Sequence, residues 1–164
     1  MIDAPTFRAA MATLAAPLTV LTYYDAHGRP GGLTVSSVCS LSVDPPRVLF
    51  CVNQANQSHD AAVGAGRWCL HVLGVGHEDL AHRFAGPGDR FRDLPVLAAA
   101  APELPDVPTR LALTADGRRD GGDHTIVVAR VTHATGLRDG GGLVWHQRAA
   151  AAAVHLDAPA RRAA

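Results

Sequence analysis

Between residues 18 and 145 the chain carries a series of short runs rich in β-branched and aromatic residues, each closed by glycine, proline or aspartate. The runs are Leu18–Tyr24, Leu33–Ser37, Arg47–Val52, Arg67–Leu73, Arg110–Thr114, Thr125–Thr132 and Leu143–Trp145. Such residues fit the pleated, half-buried surface of a sheet, and the turn residues between them mark where each strand ends. Asp25 to Pro30 has the chemistry to reverse the chain, so the first two runs are expected to pair as a hairpin. Strands joined mostly by turns, with few helices between them, favour an antiparallel barrel over a doubly wound parallel sheet.

Three helices are expected beside the strands. Pro5–Leu14 sets Phe7, Ala10, Met11 and Leu14 on one face, with Asp3 and Pro5 placed as start residues. Ser58 is positioned to cap a short helix to about Val63, and Gly64 and Gly66 end it. Glu78–Phe84 opens on acids, presents Leu80 and Phe84 together and stops at Gly86, Pro87 and Gly88. Asp89–Pro108, with four prolines and no period, reads as a surface crossing. Asp116–Asp123 and Asp139–Gly142 read as glycine-rich turns. The segment after Arg148 is alanine-rich and compatible with a helix, a last strand or disorder, so residues 1–148 are taken as the domain and 149–164 as a tail.

At 164 residues the chain fits one domain and is too short for separate dinucleotide and substrate domains. Fifteen basic residues balance fifteen acidic ones, so no broad field steers nucleic acid or an anionic membrane, and neither is expected as a partner. Asp3 and Arg8 stand where a signal peptide needs an apolar run, and no 18 apolar residues follow one another. Cys39, Cys51 and Cys69 form no C-x-x-C pair and read as buried free thiols, which suits the cytoplasm.

Two chemical readings fail on spacing. Gly74-Val75-Gly76 follows a strand and precedes a helix, but Asp79 stands at the third glycine position of a dinucleotide fingerprint and would repel a pyrophosphate. Nine histidines include no H-E-x-x-H, His77 and His82 lie five apart, and the thiols lack zinc spacing, so no metal is expected. What remains is a hydroxyl-rich stretch, Thr34-Val35-Ser36-Ser37-Val38-Cys39-Ser40-Leu41-Ser42, just before Asp44-Pro45-Pro46. It either turns a polar strand face to water or offers closely spaced donors and acceptors to a polar planar ligand.

The chain resembles the short-chain flavin reductase family, the reductase partners of two-component flavin-dependent monooxygenases. The resemblance runs in order through Phe7-Arg8-Ala9-Ala10-Met11, Leu18-Thr19-Val20-Leu21-Thr22, Gly32-Leu33-Thr34-Val35-Ser36-Ser37 and Cys39-Ser40-Leu41-Ser42. It continues through Asp44-Pro45-Pro46, Val52-Asn53, Ser58-His59, Leu80-Ala81, Arg83-Phe84-Ala85-Gly86, Asp89-Arg90-Phe91 and Gly122-Asp123-His124-Thr125.

The resemblance implies a mainly β fold, a six-stranded antiparallel Greek-key split barrel with a few short helices, working as a homodimer. It implies an NADH- or NADPH-dependent enzyme that reduces FMN or FAD for a partner monooxygenase, with a non-catalytic flavin carrier as the alternative. By motif, Thr34, Val35, Ser36, Ser37, Ser40 and Leu41 would line the isoalloxazine and ribityl chain. Asn53, Gln54, Asn56, Ser58 and His59 would receive the flavin phosphate, where amide N–H groups favour an anion. Arg83 and Phe84 match a family pair ending the second helix, and His124 matches the residue that meets the nicotinamide. Relatives often carry a tyrosine soon after a basic residue near the end, where this chain has Arg148 followed by Ala149 to Ala153. No basic cluster in the sequence obviously awaits a 2′-phosphate, which favours NADH.

Overall fold

A computed structural model of the chain describes residues 2–138 and 141–155. The expected Asp139–Gly142 turn therefore lies partly outside the described residues, as does the tail beyond residue 155. Helix α1 (Ala4–Ala12) starts as expected, with the Asp3 carboxylate accepting the Thr6 N–H at 2.8 Å. Its apolar residues stay outside the core, for Phe7 is 54% and Met11 46% exposed.

After β1 (Ala16–Pro17), strand β2 (Thr19–Tyr24) and strand β3 (Pro30–Val35) form the expected hairpin, in register from Thr19 opposite Val35 to Tyr24 opposite Pro30. Asp25 builds the turn. Its carboxylate accepts the Arg29 and His27 N–H groups and pairs with the Arg29 guanidinium, and the Arg29 backbone bond leads in holding its pKa down to about 2. Gly28 takes φ +74° there, in the left-handed region that glycine enters without strain.

Strand β4 (Val38–Ser42) turns back through Asp44–Pro46 into β5 (Arg47–Asn53), and helix α2 (His59–Gly64) leads to β6 (Arg67–Val72). Helix α3 (Glu78–Ala85) precedes the long crossing to β7 (Thr109–Asp120) and β8 (His124–Thr135), and β9 (Leu143–His146) and β10 (Ala149–Ala152) close the chain. Among the described residues one sheet has the order β3-β2-β6-β7-β8-β5-β4, every pairing antiparallel, and a smaller one has β1-β9-β10.

The larger sheet holds seven strands rather than the six expected. The reason is the hydroxyl-rich stretch, which breaks at Ser36–Ser37, so that its first half pairs with β2 and its second half with β5. Three further expectations are corrected. The turn placed at Asp116–Asp123 is strand as far as Asp120, because β8 supplies partners out to Thr125 opposite Asp120. The Asp89–Pro108 crossing is not all surface, since Ala101, Leu104 and Val107 are buried. Cys39 is exposed rather than buried, because it lies on the edge strand β4, whereas burial pushes the Cys69 thiol up to about 12. Of the conformations open to the segment after Arg148, residues 149–152 take the strand.

The sheet curls, so that Leu33 and Val35 of β3 share a core with Val48 and Phe50 of β5, although four strands stand between them in sheet order. Strand β2 is buried on both faces. Leu21 and Tyr23 enter that core, while Leu18 and Val20 face a second cluster with Ala81 and Phe84 of α3, Leu104, Val107 and Leu143. The alternation follows from the two-residue period of a strand. Phe84 also meets Phe91 edge to face at 5.2 Å.

Gly32 is the point where α3 closes on the sheet. A Cβ there would lie 2.6 Å from the Phe84 ring and 3.1 Å from the Leu21 carbonyl oxygen. Gly32→Ala is therefore expected to destabilise the fold by about 1–3 kcal/mol through overpacking, read as a lower urea midpoint. An unchanged midpoint would show that the Phe84 ring has room to retreat.

Candidate active site

The Thr34 edge and the Ser58 turn meet through one side chain. One guanidinium nitrogen of Arg90 donates to the Gly32 carbonyl oxygen at 2.7 Å and to the Ser58 hydroxyl at 3.3 Å, while its Nε donates to the Gly86 carbonyl oxygen at 2.9 Å. A partly buried charged donor that ties its own segment to two remote ones holds them more tightly than neutral bonds would. The Tyr23 hydroxyl, its pKa raised by burial, reaches the Ser58 carbonyl oxygen at 3.5 Å and stands beneath the same turn.

Near Thr34 lies a cavity of about 190 Å³ bounded by β3, α3 and the β9–β10 ribbon, with Thr34, Ser36, His82, Trp145 and Ala150 in its wall. The Thr34 hydroxyl donates to the Ala81 carbonyl oxygen at 2.6 Å, which fixes α3 against the strand. The Ser37 hydroxyl donates to the Cys51 carbonyl oxygen. Ser36 and Ser40 make no side-chain hydrogen bond among the described residues, so their hydroxyls stay open to a ligand. Ser40 and Leu41 are exposed on β4, and Leu41 is 48% exposed. Val35 is buried in the core, so it can offer a ligand only its backbone.

The loop from Asn53 to His59 folds on its own side chains. The Asn53 amide oxygen accepts the Ala55 N–H and that of Asn56 accepts the Ser58 N–H, at 2.8 and 2.9 Å. These Asx turns leave both side-chain NH₂ groups as free donors. Ser58 does not cap α2 with its side chain, contrary to expectation, because its backbone (φ −90°, ψ 3°) is not in the extended conformation that turns a cap hydroxyl onto the helix N–H groups, and the hydroxyl accepts from Arg90 instead. His59 is pinned on both ring nitrogens, at 2.8 Å from Asp60 and 2.8 Å from the Thr125 hydroxyl.

His124 arrives beside this loop because Asn53 stands opposite it in the β5–β8 ladder, and the Gln54 N–H donates to the Asp123 carbonyl oxygen. The His124 Nδ1 lies 2.7 Å from the Asp123 carboxylate, whose pKa is lowered first by that hydrogen bond. A carboxylate there orders Nδ1–H as the donor and leaves Nε2 facing outward. Phe84 is fully buried in the second core and presents no surface to a ligand, whereas Arg83 is exposed and unpaired among the described residues.

The family profile described as "Flavin reductase like domain" matches residues 11–153. The chain belongs to the flavin reductase-like family. It is 37% identical over 147 residues to the NADH:riboflavin 5′-phosphate oxidoreductase of Streptomyces pristinaespiralis, covering 87% of this chain and 84% of that one. It is also 37% identical over 136 residues to the reductase component of a 4-nitrophenol 4-monooxygenase/4-nitrocatechol 2-monooxygenase from Rhodococcus opacus, covering 81% and 72%. Among solved structures, the flavin reductase domain protein of Arthrobacter sp. FB24 superposes with a TM-score of 0.88 at 30% identity, covering 95% of this chain and 99% of that one.

Within this flavin reductase-like domain, four residues escaped the sequence reading. Arg90 stands in the Asp89-Arg90-Phe91 motif, and an arginine beside a proline-rich crossing was the only hint of its role. Trp145 of β9 lines the Thr34 cavity. Arg118 and Arg119 face a second cavity beside His59, on residues first read as turn.

Proposed function

We propose that this chain is an NADH-dependent flavin reductase that supplies reduced flavin to a flavin-dependent monooxygenase. The observation that carries the reading is Arg90, which binds the Thr34 edge and the Ser58 turn into one cleft, with His124 across the ladder from Asn53. The residues fit an FMN group. Ser36 and the Thr34 backbone border a cavity with a largely apolar wall, suited to a ring, and the Asn53 and Asn56 NH₂ groups lie on the loop where a phosphate would need donors.

When bound, the flavin supplies the hydride-accepting chemistry that no side chain offers. The chain's own task is placement. Ser36, Ser40 and Trp145 would bound the ring, Asn53, Asn56 and Ser58 would hold the phosphate, and Arg83 at the end of α3 would face the ligand from outside. His124, held by Asp123, would position a nicotinamide through Nε2 without acting as a strong base.

The chain is read further as one subunit of a homodimer, with the exposed apolar residues of α1 and just after it (Phe7, Met11, Leu14) and at the end of β4 (Leu41, Val43) as the surfaces that a second copy would cover. Within each subunit the barrel would be the split Greek-key form. Three free cysteines suit a reducing cytoplasm. Among the described residues no helix is long and apolar enough to cross a membrane.

Steady oxidation of NADH that depends on added FMN is the expected behaviour of the purified chain, and flavin binding without such turnover would contradict the reductase reading. His124→Ala should raise the NADH KM about tenfold, consistent with loss of one positioning contact of about 1.4 kcal/mol, while the FMN Kd changes less than about twofold. Equal losses in both would remove His124 from the nicotinamide.

A further inference from the structure

His59 stands in the loop expected to receive the flavin phosphate, yet both of its ring nitrogens are already engaged within the chain. Nδ1 lies 2.8 Å from the Asp60 carboxylate and Nε2 lies 2.8 Å from the Thr125 hydroxyl, and the side chain is only 17% exposed. A carboxylate on Nδ1 orders that N–H as the donor, so Nε2 accepts the Thr125 O–H. The ring thereby fastens the first residue of α2 to the start of β8.

The residue that this bond steadies is the neighbour of Thr125. His124 opens β8, opposite Asn53, and its carbonyl oxygen accepts the Gly121 N–H at 2.9 Å. Before it the chain turns through Gly121 and Gly122, the latter at φ +83°, and glycines lend a turn little stiffness of their own. Ladder bonds set the register of a strand end, but such ends fray more readily than strand middles. Successive side chains leave a strand on opposite faces, so a grip on Thr125 from the α2 side fixes the direction in which His124 leaves on the other.

The two ends of the bond differ in firmness. Helix α2 is held independently by the Trp68 Nε1–H, which donates to the Ala62 carbonyl oxygen at 2.7 Å, and Ser58 before it is held by Arg90. The β8 end has the glycine turn instead. Loss of the His59–Thr125 bond is therefore felt at His124 rather than at the phosphate loop.

We propose that His59 is a positioning residue, which through the Thr125 hydroxyl holds His124 in place relative to the Ser58 turn, so that the nicotinamide contact and the flavin phosphate keep a fixed separation. That role rests on the placement of flavin and nicotinamide given above. It assigns His59 to the nicotinamide half of the site, in place of the phosphate contact that the family motif implies.

Thr125→Val deletes the hydroxyl with little change of shape and suits a strand, so the variant should fold as the parent does. With FMN bound it should raise the NADH KM about fivefold, the effect of one neutral hydrogen bond, while kcat and the FMN Kd change less than about twofold. Calorimetry with tetrahydro-NAD, a nicotinamide analogue that cannot give up hydride, should show the same fivefold loss without turnover. Thr125→Ser keeps the hydroxyl and should restore the parent values, and His59→Phe, which keeps a ring without its nitrogens, should repeat the loss. In a His124→Ala background Thr125→Val should add nothing further, because the contact it aims is already gone. General structural damage would instead multiply with His124→Ala and would not be rescued by serine. The role is refuted if Thr125→Val binds the analogue as the parent does, if its loss multiplies with that of His124→Ala, or if His59→Phe weakens FMN rather than the analogue, which would return the ring to the phosphate. A parent that binds no analogue removes His124 from the nicotinamide and this role with it. A chain that reduces FMN with NADH at the same KM in Thr125→Val defeats this inference alone, and one whose analogue binding depends on Thr125 and His124 but that never oxidises NADH defeats the reductase reading alone.

Discussion

Arg90→Ala is expected to weaken FMN binding about 30-fold and to lower the stability of the fold by about 2–4 kcal/mol. Both effects have one cause. The guanidinium donates to two backbone carbonyl oxygens, of Gly32 and Gly86, and to the Ser58 hydroxyl, and no other side chain among the described residues donates to these three acceptors. Hydrogen bonds from a charged donor contribute about 1.5–3 kcal/mol each, and carbonyls left without a partner in a half-buried place add their desolvation cost. Water can satisfy part of what is lost, which keeps the expected figure near the value of one such bond plus a fraction of the others.

The binding loss follows from geometry rather than from lost contact with the ligand. Without Arg90 the side-chain hydrogen bond left between the Ser58 turn and the β2–β3 hairpin, among the described residues, is that of the Tyr23 hydroxyl at 3.5 Å, a weak bond, so the two ends of the cleft are held less firmly. A loss of about 2 kcal/mol in preorganisation is about 30-fold in affinity. Arg90→Lys should recover part of the stability and little of the affinity, because an ammonium cannot span the acceptors as a fork does. Flavin fluorescence quenching and urea unfolding read the two quantities separately. An alanine variant that binds FMN like the parent would show that the edge and the turn are held together by other means.

That such a residue escapes a reading of the sequence has a physical reason. The strand runs were legible because β-branched and aromatic residues repeat on a two-residue period, as in β5, where buried positions alternate with half-buried ones from Arg47 to Val52. The end of β7 was not, since Gly117-Arg118-Arg119-Asp120 is polar, exposed and indistinguishable from a turn until β8 is known to pair with it. The break at Ser36–Ser37 was invisible for a similar reason, because hydroxyl residues suit either side of a strand boundary.

The candidate site divides along the same line. The Asn53–His59 loop and His124 were pointed to by the family resemblance, His124 by itself being an ordinary histidine beside a glycine turn, and the ladder sets Asn53 opposite His124. Beyond Gly86 in its own segment, Arg90 has its acceptors at residues 32 and 58, and Thr34 finds its acceptor at Ala81. Partners so far apart in sequence leave no periodic trace. Ser58 shows the same limit, for its type and position fit a helix cap, yet its backbone is not extended as a cap requires and its hydroxyl accepts from a remote segment.

The crossing from Asp89 to Pro108 is another part that only long-range packing explains, and His71 makes it sensitive to acid. This histidine is buried in β6, with Nδ1–H donating to the Val20 carbonyl oxygen at 3.0 Å and Nε2 accepting the Leu104 N–H at 3.0 Å. Only a neutral ring can accept on Nε2. Burial accordingly leads in pushing its pKa down to about 4, from an ordinary value of 6.5. Between those values the unfolded chain binds a proton that the folded chain refuses, so stability is fully present above about pH 6.5 and falls as pH drops toward 4. The whole difference is about 3 kcal/mol, and about 2 kcal/mol of it should be gone by pH 5. His71→Leu should remove this pH dependence while costing about 2–3 kcal/mol at pH 7.5, because the Leu104 N–H and Val20 carbonyl are left unpaired in the core. The parent and the variant should therefore converge in stability as pH falls from 7.5 to 5, a difference that cancels every other titrating group. Curves that stay parallel would show that the ring is not held neutral by its burial. The consequence reaches the site, since Leu104 and Val107 pack in the same cluster as Ala81 and Phe84 of α3, and Ala81 is the residue whose carbonyl fixes Thr34.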